Sequence, residues 1–199
     1  MQTNWSQFRL NARHKGFNTV ENVLNPSNVA GLELDWSFPT GASVFSSPAV
    51  VNGVVYVGSD NGKVYALNAT SGALLWSTLT GGGIEPSPAV VNGTVYVGSG
   101  DGKVYALSAA SGAVFWSTQT GAAVESSPTV VNGVVYVGSD DHKVYALSAA
   151  TGAVLWSTLT GDRVFSSPAV ATGSSTSARP TSPPTPSARR AAPCSGASS

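Results

Sequence analysis

The side chains of this chain that could do chemistry stand at places that recur every 40 residues. Glu85 and Glu125 occupy equivalent positions, Phe45 and Phe165 fill the same position in the flanking copies, and Asp162 and Arg163 lie just ahead of the last. Their functional reading is a contact site for a ligand or partner, because binding residues concentrate in loops that diverge on a fixed scaffold. The plainer reading is solvated loop charge. A second set sits in Asp60-Asn61-Gly62, Gly100-Asp101-Gly102 and Asp140-Asp141-His142. A calcium loop needs six or more oxygens around the ion, whereas Asp, Asn and Gly are ordinary turn formers. His142 replaces a Gly at a variable loop tip, and neither it nor His14 has a partner in the sequence that would make it a ligand or a base. Lys63, Lys103 and Lys143 recur once per copy. They could ring an anion, but edge-protecting charge is the simpler role. The single cysteine, Cys194, has no partner for an internal disulfide, and no Cys/His cluster has metal-site spacing.

The elements that position these residues follow from the repeat itself. Trp36, Trp76, Trp116 and Trp156 are spaced by 40, as are Pro48, Pro88, Pro128 and Pro168, and the text between them nearly duplicates itself three times. Each copy holds four strand-like runs. In the first copy these are Ser47 to Val51, Val54 to Ser59, Lys63 to Asn68 and Ala73 to Thr80. Asn52-Gly53, the strongest two-residue hairpin signal, joins the first two, and Asn92-Gly93 and Asn132-Gly133 repeat it. No helical period runs over a useful length. The runs are apolar on both faces (Val54, Val55, Tyr56, Val57), which suits a sheet sandwiched between neighbours.

Four strands in about 40 residues specify an all-β fold, a β-propeller of four-stranded antiparallel blades. A β-solenoid is the structural rival, but it needs shorter coils and no two-residue hairpins. The expected organisation is a lead-in over 1–31 and propeller repeats over 32–172. The repeats comprise a strand at 32–40, blades at 46–80, 86–120 and 126–160, and a partial blade from 164. A low-complexity tail covers 173–199. Three full blades are too few to close a ring, so the propeller is expected to be open and prone to self-association. In such a blade the innermost strand lines the central channel, which puts Phe45, Glu85, Glu125, Arg163 and Phe165 at its mouth.

The tail, rich in Ser, Pro, Ala and Arg, is a disordered extension at face value. A shifted reading frame explains it better. Adding 40 to the third copy calls for Tyr at 176 and 185 and Trp at 196, where Thr176, Thr185 and Gly196 stand. Tyr as TAC followed by G, read one base late, gives Thr. The Trp codon TGG read one base late gives Gly. The expectation is a fifth repeat scrambled by a one-base shift near 171–174, which leaves Cys194 and the tail arginines without function. Setting aside Arg179, Arg189 and Arg190 leaves seven basic residues against ten acidic, a net −3. A basic nucleic-acid arm is therefore disfavoured, and no nucleic-acid partner is expected. No apolar run approaches the ~20 residues of a membrane-spanning helix. The start carries no signal-peptide pattern.

The repeat resembles that of pyrroloquinoline-quinone-like (PQQ-like) propellers. The motif is Ala66-x-Asn68-x-x-Ser71-Gly72-x-x-x-Trp76, recurring as Ala106…Gly112…Trp116 and Ala146…Gly152…Trp156. It is similar to that family's tryptophan-docking motif. The resemblance implies that each Trp packs between the motif Ala and the Gly peptide of an adjacent blade. Ser108 and Ser148 stand where the motif prefers Asp or Asn, so the local side-chain bond is expected to be weaker there. The lead-in also resembles that of secreted and periplasmic members, which implies an extracellular or periplasmic location.

Three functions fit the resemblance. The first is a non-catalytic scaffold for protein–protein or cell-surface contacts. The second is a fragment of a PQQ-dependent quinoprotein dehydrogenase. Its family pattern adds adjacent cysteines, a Glu/Asn calcium pair and an Asp base, and none is visible here, so neither PQQ nor calcium has evident ligands. The third is a propeller component of outer-membrane protein assembly, whose lipidated N-terminal Cys is not in this sequence. The first is the expectation, without catalysis, because nearly identical linkers leave little room to elaborate a site.

Overall fold

The computed structural model describes residues 5–8, 29–171 and 174–176. The shifted-frame tail, Cys194, His14 and most of the lead-in lie outside them. The hairpin signals produce their hairpins. Asn52, Asn92 and Asn132 have φ of 51, 50 and 50°, and Gly53, Gly93 and Gly133 follow at 77, 74 and 77°. Two successive left-handed residues define the turn whose twist matches antiparallel strands. The first sheet comprises β1 (Ala49–Val51), β2 (Val54–Gly58), β3 (Lys63–Asn68) and β4 (Leu74–Leu79), hydrogen-bonded in that order. The second is β5 (Ala89–Val91), β6 (Thr94–Gly98), β7 (Lys103–Ser108) and β8 (Val114–Gln119). The third is β9 (Thr129–Val131), β10 (Val134–Ser139), β11 (Lys143–Ser148) and β12 (Val154–Leu159). A two-stranded sheet, β13 (Ala169–Ala171) and β14 (Ser174–Thr176), follows. The fold is all-β, and its blades do not close into a ring among the described residues.

The core lies between blades, which explains why the strands are apolar on both faces. Tyr56, Val64, Ala66 and Trp76 of the first blade pack against Val90, Val95, Val97 and Leu107 of the second. Tyr96, Val104 and Ala106 of the second repeat this against Val130, Val135, Val137 and Leu147 of the third. The close approach demands glycine in the second strand of each blade that faces a neighbour. A Cβ on Gly58 would lie 2.1 Å from Ile84 Cγ2, and one on Gly98 2.5 Å from Val124 Cγ1. At the inner rim a ladder of serines spaced by 40 ties neighbours together. Ser47 N–H donates to Ser87 Oγ at 2.8 Å, Ser87 N–H to Ser127 Oγ at 2.9 Å, and Ser127 N–H to Ser167 Oγ at 3.1 Å.

Two expectations need correction. Residues 32–40 form no strand; a 3-10 turn at Val29–Gly31 is followed by irregular chain. A strand exists only through its ladder, and no described strand lies beside this segment to supply one. It nevertheless covers the first blade, where Phe38 meets Tyr65 edge-on with ring centroids 5.5 Å apart. The recurring lysines do not guard an edge. β3, β7 and β11 are interior strands, paired on both sides.

Candidate functional site

Two kinds of place could act on other molecules: the junctions between blades and the loops that lead into the inner strands. Each junction is built from an aromatic pair on one blade and a turn on the next. Tyr56 and Trp76 stand 5.9 Å apart between centroids. The Tyr56 hydroxyl and the Trp76 indole N–H both donate to Ala109 O, at 3.2 and 2.9 Å. Thr78 Oγ1 adds a bond to Gly112 O at 2.7 Å. Gly112 has φ of +73°, and a Cβ on it would sit 2.6 Å from the Trp76 ring, so only glycine lets the indole lie on this peptide. The next junction repeats the arrangement, with Tyr96 and Trp116 on Ala149 O at 3.2 and 3.1 Å. Before the first blade, Trp36 takes the same place, donating to Ala69 O at 3.0 Å and lying on Gly72.

Ala66, Ala106 and Ala146 are fully buried and pair in register with Trp76, Trp116 and Trp156 of their own blades. Gly152 takes the Trp116 ring as Gly112 takes that of Trp76. Trp156 differs. It keeps its aromatic partner Tyr136 at 6.0 Å, but it is 41% exposed against 9% for Trp76, with no indole acceptor among the described residues. The turn bonds follow residue type. Asn68 Oδ1 accepts from Thr70 and Ser71 N–H, both at 2.9 Å, whereas Ser108 Oγ accepts once, from Ser111 N–H at 3.3 Å.

The turns between second and third strands are junction pieces as well. Tyr105 O–H donates to Asp101 Oδ2 at 2.5 Å, and the same oxygen accepts from Gly81 N–H of the preceding blade at 3.1 Å. Asp141 repeats this with the Tyr145 hydroxyl and Gly121 N–H. Burial opposes charge on Asp101 and Asp141. The tyrosine, backbone and serine hydrogen bonds outweigh it and hold both below the ordinary carboxylate value. Burial first, then the carboxylate, pushes Tyr105 and Tyr145 up to about 12. His142 takes φ of 69° where Gly62 and Gly102 have 81°.

Glu85 and Glu125 line one small cavity with Asp60, Gly83, Gly100 and Val124. Glu125 is raised above its ordinary value by burial, then by the charges of Asp140 and Glu85, against the pull of Arg163. Arg163 Nη1 lies 3.7 Å from Asp140 Oδ2, while the buried Asp140 Oδ1 has no partner. The fold thus gathers Glu85, Glu125 and Arg163 of the expected set and adds Asp140, which sequence reading had placed in an ordinary turn. Phe45 and Phe165 are exposed, 67% and 54%, and neither lines this cavity. Among the described residues no three His, Cys, Asp or Glu side chains gather as a metal site.

A repeated four-stranded blade joined to its neighbour by a tryptophan on a glycine turn defines a propeller-repeat protein. The family model described as outer membrane protein assembly factor BamB matches residues 61–183, and that described as glucose/ethanol/alcohol dehydrogenase, beta-propeller domain, matches residues 5–83. The first match spans more than half of the chain, which therefore belongs to the PQQ-like propeller-repeat family. No curated protein matches it in sequence. Among solved structures it is similar to BamB from Moraxella catarrhalis, at 22% identity and TM-score 0.62 over 69% of this chain and 47% of that one. It is also similar to quinohemoprotein alcohol dehydrogenase from Comamonas testosteroni, at 25% identity and TM-score 0.70 over 78% and 27%. A europium-containing methanol dehydrogenase gives 26% and 0.71 over 78% and 32%. The chain thus spans less than half the length of each.

Proposed function

We propose that this chain is a non-catalytic PQQ-like scaffold that holds a partner protein at the channel mouth through Glu85 and Glu125, outside the cytoplasm. The observation that carries the reading is that Glu85 and Glu125 line one cavity, where burial first, and then the charges of Asp140 and Glu85, raise Glu125 against the pull of Arg163. The blades are otherwise near copies that differ in charge at Glu85, Glu125 and Arg163 and in the turns at 60–62, 100–102 and 140–142. A crowded set of carboxylates with one arginine favours a cationic partner segment, and such attraction weakens with salt. The match to an outer membrane assembly factor supports a partner-binding role at a cell envelope.

The test is binding of a lysine-rich peptide to the full chain. Affinity falls about tenfold in the double variant Glu85→Gln/Glu125→Gln and falls with added salt. Equal binding by both proteins overturns the reading. A second reading, a dehydrogenase fragment, is favoured by the likeness to two dehydrogenases over 78% of the chain. It requires the chain to bind PQQ in the presence of calcium and to reduce a dye with an alcohol. An unchanged quinone absorbance spectrum removes it.

A further inference from the structure

Three consecutive residues near the start of the chain bond to three consecutive blades. Trp5 exchanges both backbone hydrogen bonds with Val50 of β1, each 2.7 Å. Ser6 O accepts from Val90 N–H of β5 at 2.6 Å. The buried Gln7 then engages Val130 of β9 with its side chain: Oε1 accepts the Val130 N–H at 3.1 Å, and Nε2 donates to Val130 O at 3.4 Å. Val50, Val90 and Val130 hold the same place in the repeat, and β1, β5 and β9 each stand at the edge of their sheet. One residue of the Trp5–Gln7 segment therefore advances one blade. The Gln7 carboxamide, which offers the donor and acceptor of a peptide group, completes the step where the backbone no longer reaches.

We propose that the inner edges of the three blades form a docking track for an extended peptide of a partner protein, read one residue per blade with a carboxamide side chain in the third place. The chain's own Trp5–Gln7 segment is the resident occupant, and the partner's segment takes the track by exchange. The bonding is chiefly to main chain, so the first two places accept many residue types and the third selects Gln or Asn. Exchange is feasible because these few hydrogen bonds, each of small net worth, stand against the entropy of ordering the segment. Tethering favours the resident by raising its effective concentration, so loss of one foothold opens the track.

The test uses the full chain carrying Trp5→Pro, which removes the N–H given to Val50 O. The probe is a fluorescent synthetic peptide with the sequence of Thr3–Phe8. Hydrogen exchange at the Val50, Val90 and Val130 amides rises together by about tenfold, since the segment leaves as a unit. The probe binds this variant about tenfold more tightly than the unaltered chain, restores protection at Val90 and Val130, and loses about tenfold when its Gln is replaced by Ala. Wild-type exchange at Val90 and Val130, or equal probe binding by both chains, overturns the proposal. Gln7→Ala in the full chain, which introduces no proline, provides a second reading. Faster exchange at Val130 with tighter probe binding supports the track, and unchanged exchange at Val130 refutes it.

Discussion

Replacing Gly112 by Ala separates the cost of a left-handed backbone from the cost of displacing a docked tryptophan, provided that Gly93→Ala is measured beside it. The two glycines share φ, +73° and +74°, so both substitutions carry the same backbone strain of about 1 kcal/mol. Around Gly93 there is nothing within 4 Å of the new Cβ, and the strain is the whole effect. At Gly112 the Cβ would sit 2.5 Å from Thr78 Oγ1 and 2.6 Å from Trp76 Cε3, deep inside van der Waals contact. The indole must lift, which adds an overpacking cost of about 1–3 kcal/mol. It also weakens the 2.9 Å bond from Trp76 to Ala109 O, worth about 1 kcal/mol. Gly112→Ala should therefore cost about 2–4 kcal/mol more than Gly93→Ala.

With a urea m-value of about 2 kcal/mol/M, that difference separates the two unfolding midpoints by about 1–2 M. Circular dichroism and tryptophan fluorescence followed on the same samples give the measurement. Gly152→Ala, facing Trp116 and Thr118 at 2.7 and 2.6 Å, should match Gly112→Ala. Gly72→Ala should cost less, because its indole, Trp36, belongs to irregular chain that can yield. Coincident midpoints for Gly93→Ala and Gly112→Ala would refute the claim that docking on glycine holds the blades together.

Acid should loosen the junctions through Asp101 and Asp141. Their folded pKa values lie below 3.8, so their contribution is present above that value and lost as pH falls through the folded pKa. Asp101→Asn should lower the urea midpoint at neutral pH and flatten its fall below about pH 4. Tyr105 and Tyr145 act at the other end. With folded values of about 12 against 10.0, their contribution is complete below 10 and disappears as pH rises towards 12, which ultraviolet titration of the phenolates checks. Trp76→Ala should cost about 3–5 kcal/mol as a buried aromatic truncation, whereas the same change at the half-exposed Trp156 should cost about 1–2 kcal/mol. Equal losses in urea unfolding would show that the junction adds nothing to the tryptophan of a single blade.

What could be read from sequence follows from what each feature depends on. The hairpins at Asn52-Gly53 and its copies were legible because the turn geometry selects residue type directly. The third strand, Lys63–Asn68, was legible to the residue because its two turns bound it. The segment 32–40 was misread because its tryptophan spacing matched a fourth strand while no described strand lies beside it as a ladder partner. Spacing encodes the docking contact, and only a neighbour makes a strand. The Trp5–Gln7 contacts were invisible, since backbone amides and carbonyls leave no mark on residue type and only the fold shows that Gln7 is buried. Asp140 was passed over because its repeat neighbours, Asp60 and Gly100, read as turn formers, and only the fold brings Arg163 beside it.

The third blade shows what the repeat builds on its own. Tyr136 and Trp156 hold a centroid separation of 6.0 Å and an interplanar angle of 51°, close to the 5.9 Å and 48° of Tyr56 and Trp76. Yet the Trp156 indole has no acceptor among the described residues. The donor half of the junction is thus a property of the blade, preorganised by the register that pairs Ala146 with Trp156, and is not induced by the next blade. The acceptor half is a turn in which glycine is required. A Cβ at Gly152 would press within 2.7 Å of the Trp116 ring. The repeat therefore extends from blade to blade as long as a glycine turn follows, and at the end of the third blade it presents an ordered aromatic donor. Contacts between blades consume the repeated residues, which leaves the places where the copies depart from one another, such as Glu85 and Glu125, and the inner backbone edges outside the junctions.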